Sequence, residues 1–149
     1  GEEPGALLKE LDLGLEAVTF SFCLPRQQYL ERLRSFDLFV VSSDQEGYGI
    51  SALEAMASGC PVVATRAGGV PYQIEHERTG LLWDYGDVPR LTDHLRRLLT
   101  DPALCERLSH AGQEVARRRF RGAEIARQTH ALYQTLAGQG PHHGMGGSR

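Results

Sequence analysis

Apolar residues in this chain fall into short unbroken runs, separated by longer stretches in which they recur every three or four positions. Residues Asp37–Ser42 carry Leu38, Phe39, Val40 and Val41 without alternation. That is the pattern of a parallel strand covered on both faces. A loop with Gly47 and Gly49 follows. A helix is then predicted from Gly49 or Ile50, with Gly59 as its C-cap, and a strand over Pro61–Thr65. Upstream, Ala6–Leu13 reads as a short amphipathic helix and Ala17–Phe22 as a strand. A helix from Pro25 through Phe36 has Tyr29, Leu30 and Leu33 as its inner face. Downstream, a tight turn at Gly68–Gly69 leads into a short helix begun by Pro71, and Thr79–Trp83 reads as a strand entered through Gly80. Asp87–Leu99 is a helix with Val88, Leu91, Leu95, Leu98 and Leu99 inward. Asp101 and Pro102 open a helix whose stripe is Leu104, Leu108, Ala111 and Val115, and Ala123–Leu136 is the last helix. Strands and helices in alternation imply an α/β fold, a parallel sheet with helices on both faces. The glycine-rich segment 138–149 reads as a disordered tail.

A strand that feeds a helix through a glycine-broken loop points free backbone N–H groups above the sheet, where they favour an anion. Two carboxylates bracket this helix start. Glu46 stands in the loop, and Glu54 is the only charge within Ile50–Ala57. A helix apolar all round is usually buried, and a buried carboxylate needs a partner. That partner is either a nearby backbone group or the hydroxyls of a ligand. At 1.5 Å per residue, Glu54 lies about 7 Å along the axis from the helix start. A phosphate at the helix tip, with one polyol near Glu46 and another near Glu54, is the layout a nucleotide sugar needs.

The string from Glu46 to Thr65, EGYGISALEAMASGCPVVAT, closely resembles the signature of retaining glycosyltransferases with two Rossmann-like domains, the GT-B fold. The resemblance is to the family-four group, glycosyl transferases group 1. It covers about residues 1–137 and implies the nucleotide-sugar-binding, C-terminal half of such an enzyme, without that half's first βα unit. By resemblance Glu46 is the catalytic residue facing the donor sugar. Gly47, Tyr48, Gly49 and Ile50 hold the diphosphate, Gly68 and Gly69 border the donor sugar, and Glu54 binds the ribose. The family acts without a metal, so the resemblance implies no cofactor beyond a UDP- or GDP-sugar donor and a hexosyl product of unchanged anomeric configuration. It also implies a partner, the N-terminal acceptor-binding domain, to which the final helices form a bridge.

The chain departs from the pattern at three places. Tyr72-Gln73 stands where the family usually has Glu after the proline, and Phe22 stands where it tends to have glycine. The basic pair that grips the diphosphate has no counterpart here. The isolated chain is therefore expected to transfer nothing, and a catalytically inactive binding or interaction module is the alternative reading.

Composition narrows the classes further. The chain has 149 residues, is 41% hydrophobic and carries a formal charge of −3. That suffices for one core and does not suggest a nucleic-acid binder. No apolar run reaches membrane-spanning length and no leader pattern opens the chain. The three cysteines are odd in number and widely spaced, which suits a reducing cytoplasm. Arg117, Arg118, Arg119 and Arg121 read as a solvated helix end, with a peripheral membrane surface or the acceptor domain as the sharper alternative. His76, His94, His110 and His130 read as surface residues. Asp44-Gln-Glu46 resembles an acidic metal-binding triplet, and the tail pair His142-His143 lacks further ligands.

Overall fold

The computed structural model describes residues 18, 19, 21 and 23–138. The predicted helix over 6–13 and the glycine-rich tail lie outside them. Of the strand predicted over 17–22, the described residues Val18, Thr19 and Ser21 belong to no strand.

The elements run α1 (Arg26–Ser35), β1 (Phe39–Val41), α2 (Ile50–Ser58), β2 (Val62–Thr65), α3 (Val70–Gln73), β3 (Leu81–Trp83), α4 (Val88–Thr100), α5 (Pro102–Arg119) and α6 (Gly122–Gly138). The three strands pair in the order β1-β2-β3, all parallel, with Val63 opposite both Val40 and Leu81. The pleat sends alternate residues to opposite faces. Val62, Ala64 and Leu82 pack with Leu33, Ala52, Ala55, Met56, Val70 and Ile74 on one face. Val63, Leu81 and Trp83 pack with Leu98, Leu104 and Leu108 on the other. The unbroken apolar runs are thus explained for β2 and β3. β1 departs from the expectation, because Val40 is 38% exposed. Only the side of Val41 is covered there, by α1 and α2.

Local chemistry sets the helix ends. α2 starts after Gly49 (φ 79°) and stops at Gly59 (φ 83°), both left-handed. Asp87 caps α4 by accepting from the Arg90 N–H, and Asp101 caps α5 by accepting from the Leu104 N–H. Several inward assignments need correction. Val88 and Leu99 are 61% and 67% exposed. They flank the α4 face that enters the core, which is formed by Leu91, His94, Leu95 and Leu98. The buried stripe of α5 is Leu104, Leu108, Gly112 and Ala116, with Ala111 and Val115 only half-buried beside it. Gly112 lies against Thr79, whose carbonyl oxygen would sit 2.8 Å from a Cβ. α2 is not buried all round, since Ala52, Ala55 and Met56 face the core while Ile50 is open.

Two histidines hold this part of the frame: His94, read as a surface residue, is buried, whereas His76 is exposed as expected. His94 is fully buried, and its Nε2 donates to the Leu82 carbonyl. His76 Nδ1 accepts from the Leu82 N–H at 2.9 Å. Both backbone groups of one β3 residue are therefore held by imidazoles. Burial, ahead of the opposing Glu77 charge, lowers the His76 pKa. His110 and His130 are exposed, as expected.

Candidate functional site: a glycine shelf at the strand ends

The loops leaving β1 and β2 emerge side by side at the carboxyl ends of the parallel strands. In open α/β sheets that is where ligands bind. Thr65 Oγ1 donates to the Ser43 carbonyl at 2.6 Å, and the Gly69 N–H donates to the Gly47 carbonyl at 2.8 Å. Gly68 (φ 51°) comes so close that a Cβ would lie 1.4 Å from the Glu46 carbonyl oxygen. The paired glycines thus permit close approach of one loop to the other. Glu46, Gly47, Tyr48, Gly49, Ile50, Gly68 and Gly69, separated by up to 23 positions in sequence, form one continuous shelf. Tyr48 and Ile50 are 51% and 61% exposed on it.

The start of α2 has no side-chain cap. Its first-turn N–H groups have no acceptor within the helix and carry the positive end of the macrodipole. Two of the shelf's amides are engaged: the Gly69 N–H is held by the Gly47 carbonyl, and the Gly49 N–H donates to Glu46 Oε1 at 3.2 Å. Glu46 is half-buried beside it.

Glu54, one and a half turns along α2, is not a solitary buried carboxylate. Its side chain is 20% exposed, and Oε1 is paired with Arg26 Nη1 from the first turn of α1. Arg26 is itself 63% exposed, so the pair sits at the surface. Tyr29 shares the site. Burial, then the Glu54 charge and a hydrogen bond to that carboxylate, push the Tyr29 phenol above its ordinary range.

Three residues of this region did not stand out in the sequence as site residues. Arg26 had no local signal, because its partner is 28 positions away. The spacing of Tyr29 with Leu30 and Leu33 signals only packing. Gln73 is 1% exposed on α3 and donates from Nε2 to the Tyr48 carbonyl. Tyr72, at the position where the family pattern has Glu, is 80% exposed.

Asp44 and Glu46 gain no further ligands. Among the described residues no group of three or more His, Cys, Asp or Glu side chains is placed to hold a metal ion. Arg117, Arg118, Arg119 and Arg121 are exposed around the end of α5, and the hollows they line do not reach residues 46–54. No helix of the described residues is long and apolar enough to cross a membrane.

A parallel sheet flanked by helices, with an uncapped helix start at its strand ends, defines a Rossmann-like α/β domain. Residues 3–115 match the family of glycosyl transferases group 1, and the chain belongs to that family. It is 36% identical over 103 residues to the N-acetyl-alpha-D-glucosaminyl L-malate synthase of Bacillus anthracis, covering 69% of this chain and 27% of that protein. Its fold matches the sucrose-phosphate synthase of Thermosynechococcus elongatus with a TM-score of 0.78 and 35% identity, over 91% of this chain and 34% of that one. It also matches Anabaena HepE, solved in complex with UDP-glucose, with a TM-score of 0.77 and 26% identity, over 90% of this chain and 35% of that one. The chain thus spans about a third or less of the length of these relatives.

Proposed function

We propose that this chain is the donor-binding part of a retaining glycosyltransferase, which takes a hexosyl unit from a UDP- or GDP-sugar. The observation that carries this reading is the uncapped start of α2, flanked by Glu46 and Glu54 and roofed by the Gly68–Gly69 loop. The free amides and dipole of α2 stabilise the diphosphate, most strongly as charge grows on the leaving phosphate. Glu46, tethered by the Gly49 amide, presents its second carboxylate oxygen toward the sugar. There it positions the hexose or stabilises positive charge near the anomeric carbon. Glu54 accepts from the ribose hydroxyls once Arg26 gives way.

The HepE complex supports UDP-glucose as the first donor to try. The acceptor is bound by a second domain, so transfer needs that partner. The protein's own groups meet the diphosphate's charge, and no metal step is invoked.

Calorimetric titration with UDP, GDP and their glucose and mannose conjugates tests the reading. Saturable binding that is lost in Glu54→Ala supports it. No binding of any nucleotide by the folded chain would overturn it in favour of an interaction module that keeps the fold alone.

A further inference from the structure

Gln73 is out of place by the logic of packing. Val70 on α3 and Ile74 just past its end are fully buried and apolar, and Gln73 lies between them, 1% exposed. Its carboxamide is only half satisfied. Nε2 donates to the Tyr48 carbonyl, while Oε1 is buried with no partner among the described residues. The orientation is dictated by the acceptor, since a carbonyl can face only the NH2 end. An unpaired buried acceptor is a net cost to stability that an aliphatic side chain would not incur.

The bond has geometric leverage. The Tyr48 carbonyl and the Gly49 N–H are the two ends of one planar trans peptide, and they point in opposite directions. Drawing the carbonyl inward to Gln73 turns the Gly49 N–H outward. There it meets Glu46 Oε1 at 3.2 Å. Gly49 is left-handed, and a Cβ on it would stand 3.0 Å from Val70 Cγ2 and 3.1 Å from Gln73 Oε1. α3 therefore backs directly onto this peptide, and the plate has Gln73 on one side and Glu46 on the other.

We infer that Gln73 is a positioning residue: through the Tyr48–Gly49 peptide it aims Glu46 and the amides at the start of α2 at the diphosphate and sugar of the donor. The inference rests on the nucleotide-sugar reading above. It assigns to α3 the task of setting the orientation of the shelf, and it gives a use to a polar side chain whose Oε1 is buried without a partner among the described residues.

The test uses the full chain and measures UDP and UDP-glucose affinity together with the melting temperature. Gln73→Leu removes the unpaired Oε1 but also the donor to the Tyr48 carbonyl; it is expected to stay folded while weakening both ligands about tenfold, the effect of one misaimed hydrogen bond to a charged group. Gln73→Glu adds a pH profile. As a carboxylate it repels the Tyr48 carbonyl; once protonated it donates one O–H to it. Its affinity relative to the unmodified chain at the same pH should therefore recover as pH falls, while that of Gln73→Leu stays flat. If the unmodified chain binds neither ligand, the nucleotide-sugar reading fails and this inference falls with it. If the unmodified chain binds and Gln73→Leu binds equally well, only the inference is overturned. If Gln73→Leu does not fold, the Gln73→Glu profile decides, and a flat ratio overturns the proposal. Loss of folding in both variants makes Gln73 purely structural and overturns it as well.

Discussion

Arg26 on α1 forms an ion pair with Glu54 on α2, and Tyr29 lies against the same carboxylate. The pair occupies one oxygen of the carboxylate proposed above to take the ribose of a nucleotide, so on that reading the two interactions would compete. Because Arg26 is 63% exposed, the pair is worth at most about 1 kcal/mol. Arg26→Ala is therefore expected to raise UDP affinity, by less than about fivefold. Glu54→Ala should lower it by about tenfold or more. Parallel calorimetric titrations check both. A marked loss in Arg26→Ala would mean that the guanidinium itself grips the ligand.

The contact between Gly68 and Glu46 leaves no room for a side chain. Gly68→Ala places a methyl group 1.4 Å from where the Glu46 carbonyl oxygen now lies, at a φ of 51° that alanine disfavours. The loops must part. The expected outcome is a loss of about 2–4 kcal/mol in stability, with abolished nucleotide binding, read by denaturant unfolding and titration. Gly47→Ala serves as a control for sterics, since a Cβ there meets nothing within 4 Å. It should leave the melting curve nearly unchanged.

Acid should loosen the β3 edge before it touches the carboxylates. His76 accepts from the Leu82 N–H in its neutral form, and its folded pKa is lowered from 6.5, chiefly by burial. The unfolded chain then binds the proton more readily. Its contribution is fully present above the unfolded pKa and is lost as pH falls from about 6.5 through the lower folded value. Glu77, held below its ordinary range of 4.5 by its hydrogen bonds from Arg97, contributes in a separate window. That contribution is present above about 4.5 and is lost at more acid pH. Melting temperatures between pH 5 and 8 should fall toward the acid end. His76→Gln, whose amide oxygen accepts without titrating, should flatten that slope.

Cys60 is buried and its thiol is pushed up to about 11, first by burial and then by the Cys105 and Asp37 charges. Cys23 is exposed. A maleimide probe at pH 7.5 should label Cys23 rapidly, while Cys60 reacts only on unfolding. Mass mapping of the labelled peptides checks this. Fast labelling of Cys60 in the folded chain would contradict its place in the core.

The central unit was legible in the sequence because its signals are local. An apolar run, two left-handed glycines and a proline-started turn each act within a few residues. The string from Glu46 to Thr65 was also long enough to carry a family resemblance. What escaped depends on distant partners. Arg26 reaches Glu54 across 28 positions, and no pattern in either segment foretells it. His94 is a different case, because it lies three residues after Leu91 and four before Leu98, on the inner face of α4. Periodicity contained that signal, but residue type argued against burial. The outcome is explained by a hydrogen bond to a strand carbonyl that the sequence does not display. The exposure of Val40 is not legible in the sequence, because an unbroken apolar run does not reveal how far the covering helices extend.

The imidazoles at Leu82 have an effect beyond holding one strand. β3 ends the sheet on one side among the described residues, and a sheet border normally offers its N–H and C=O groups to any extended segment that drifts past. Here both groups of its middle residue are already taken. The domain thus protects itself from templated zipping with its own neighbours using two ring nitrogens rather than the charged or proline-bearing border strand that many proteins use. Removing the exposed His76 ring alone, which frees the Leu82 N–H and leaves the buried His94 in place, should raise self-association of the folded chain, read by light scattering.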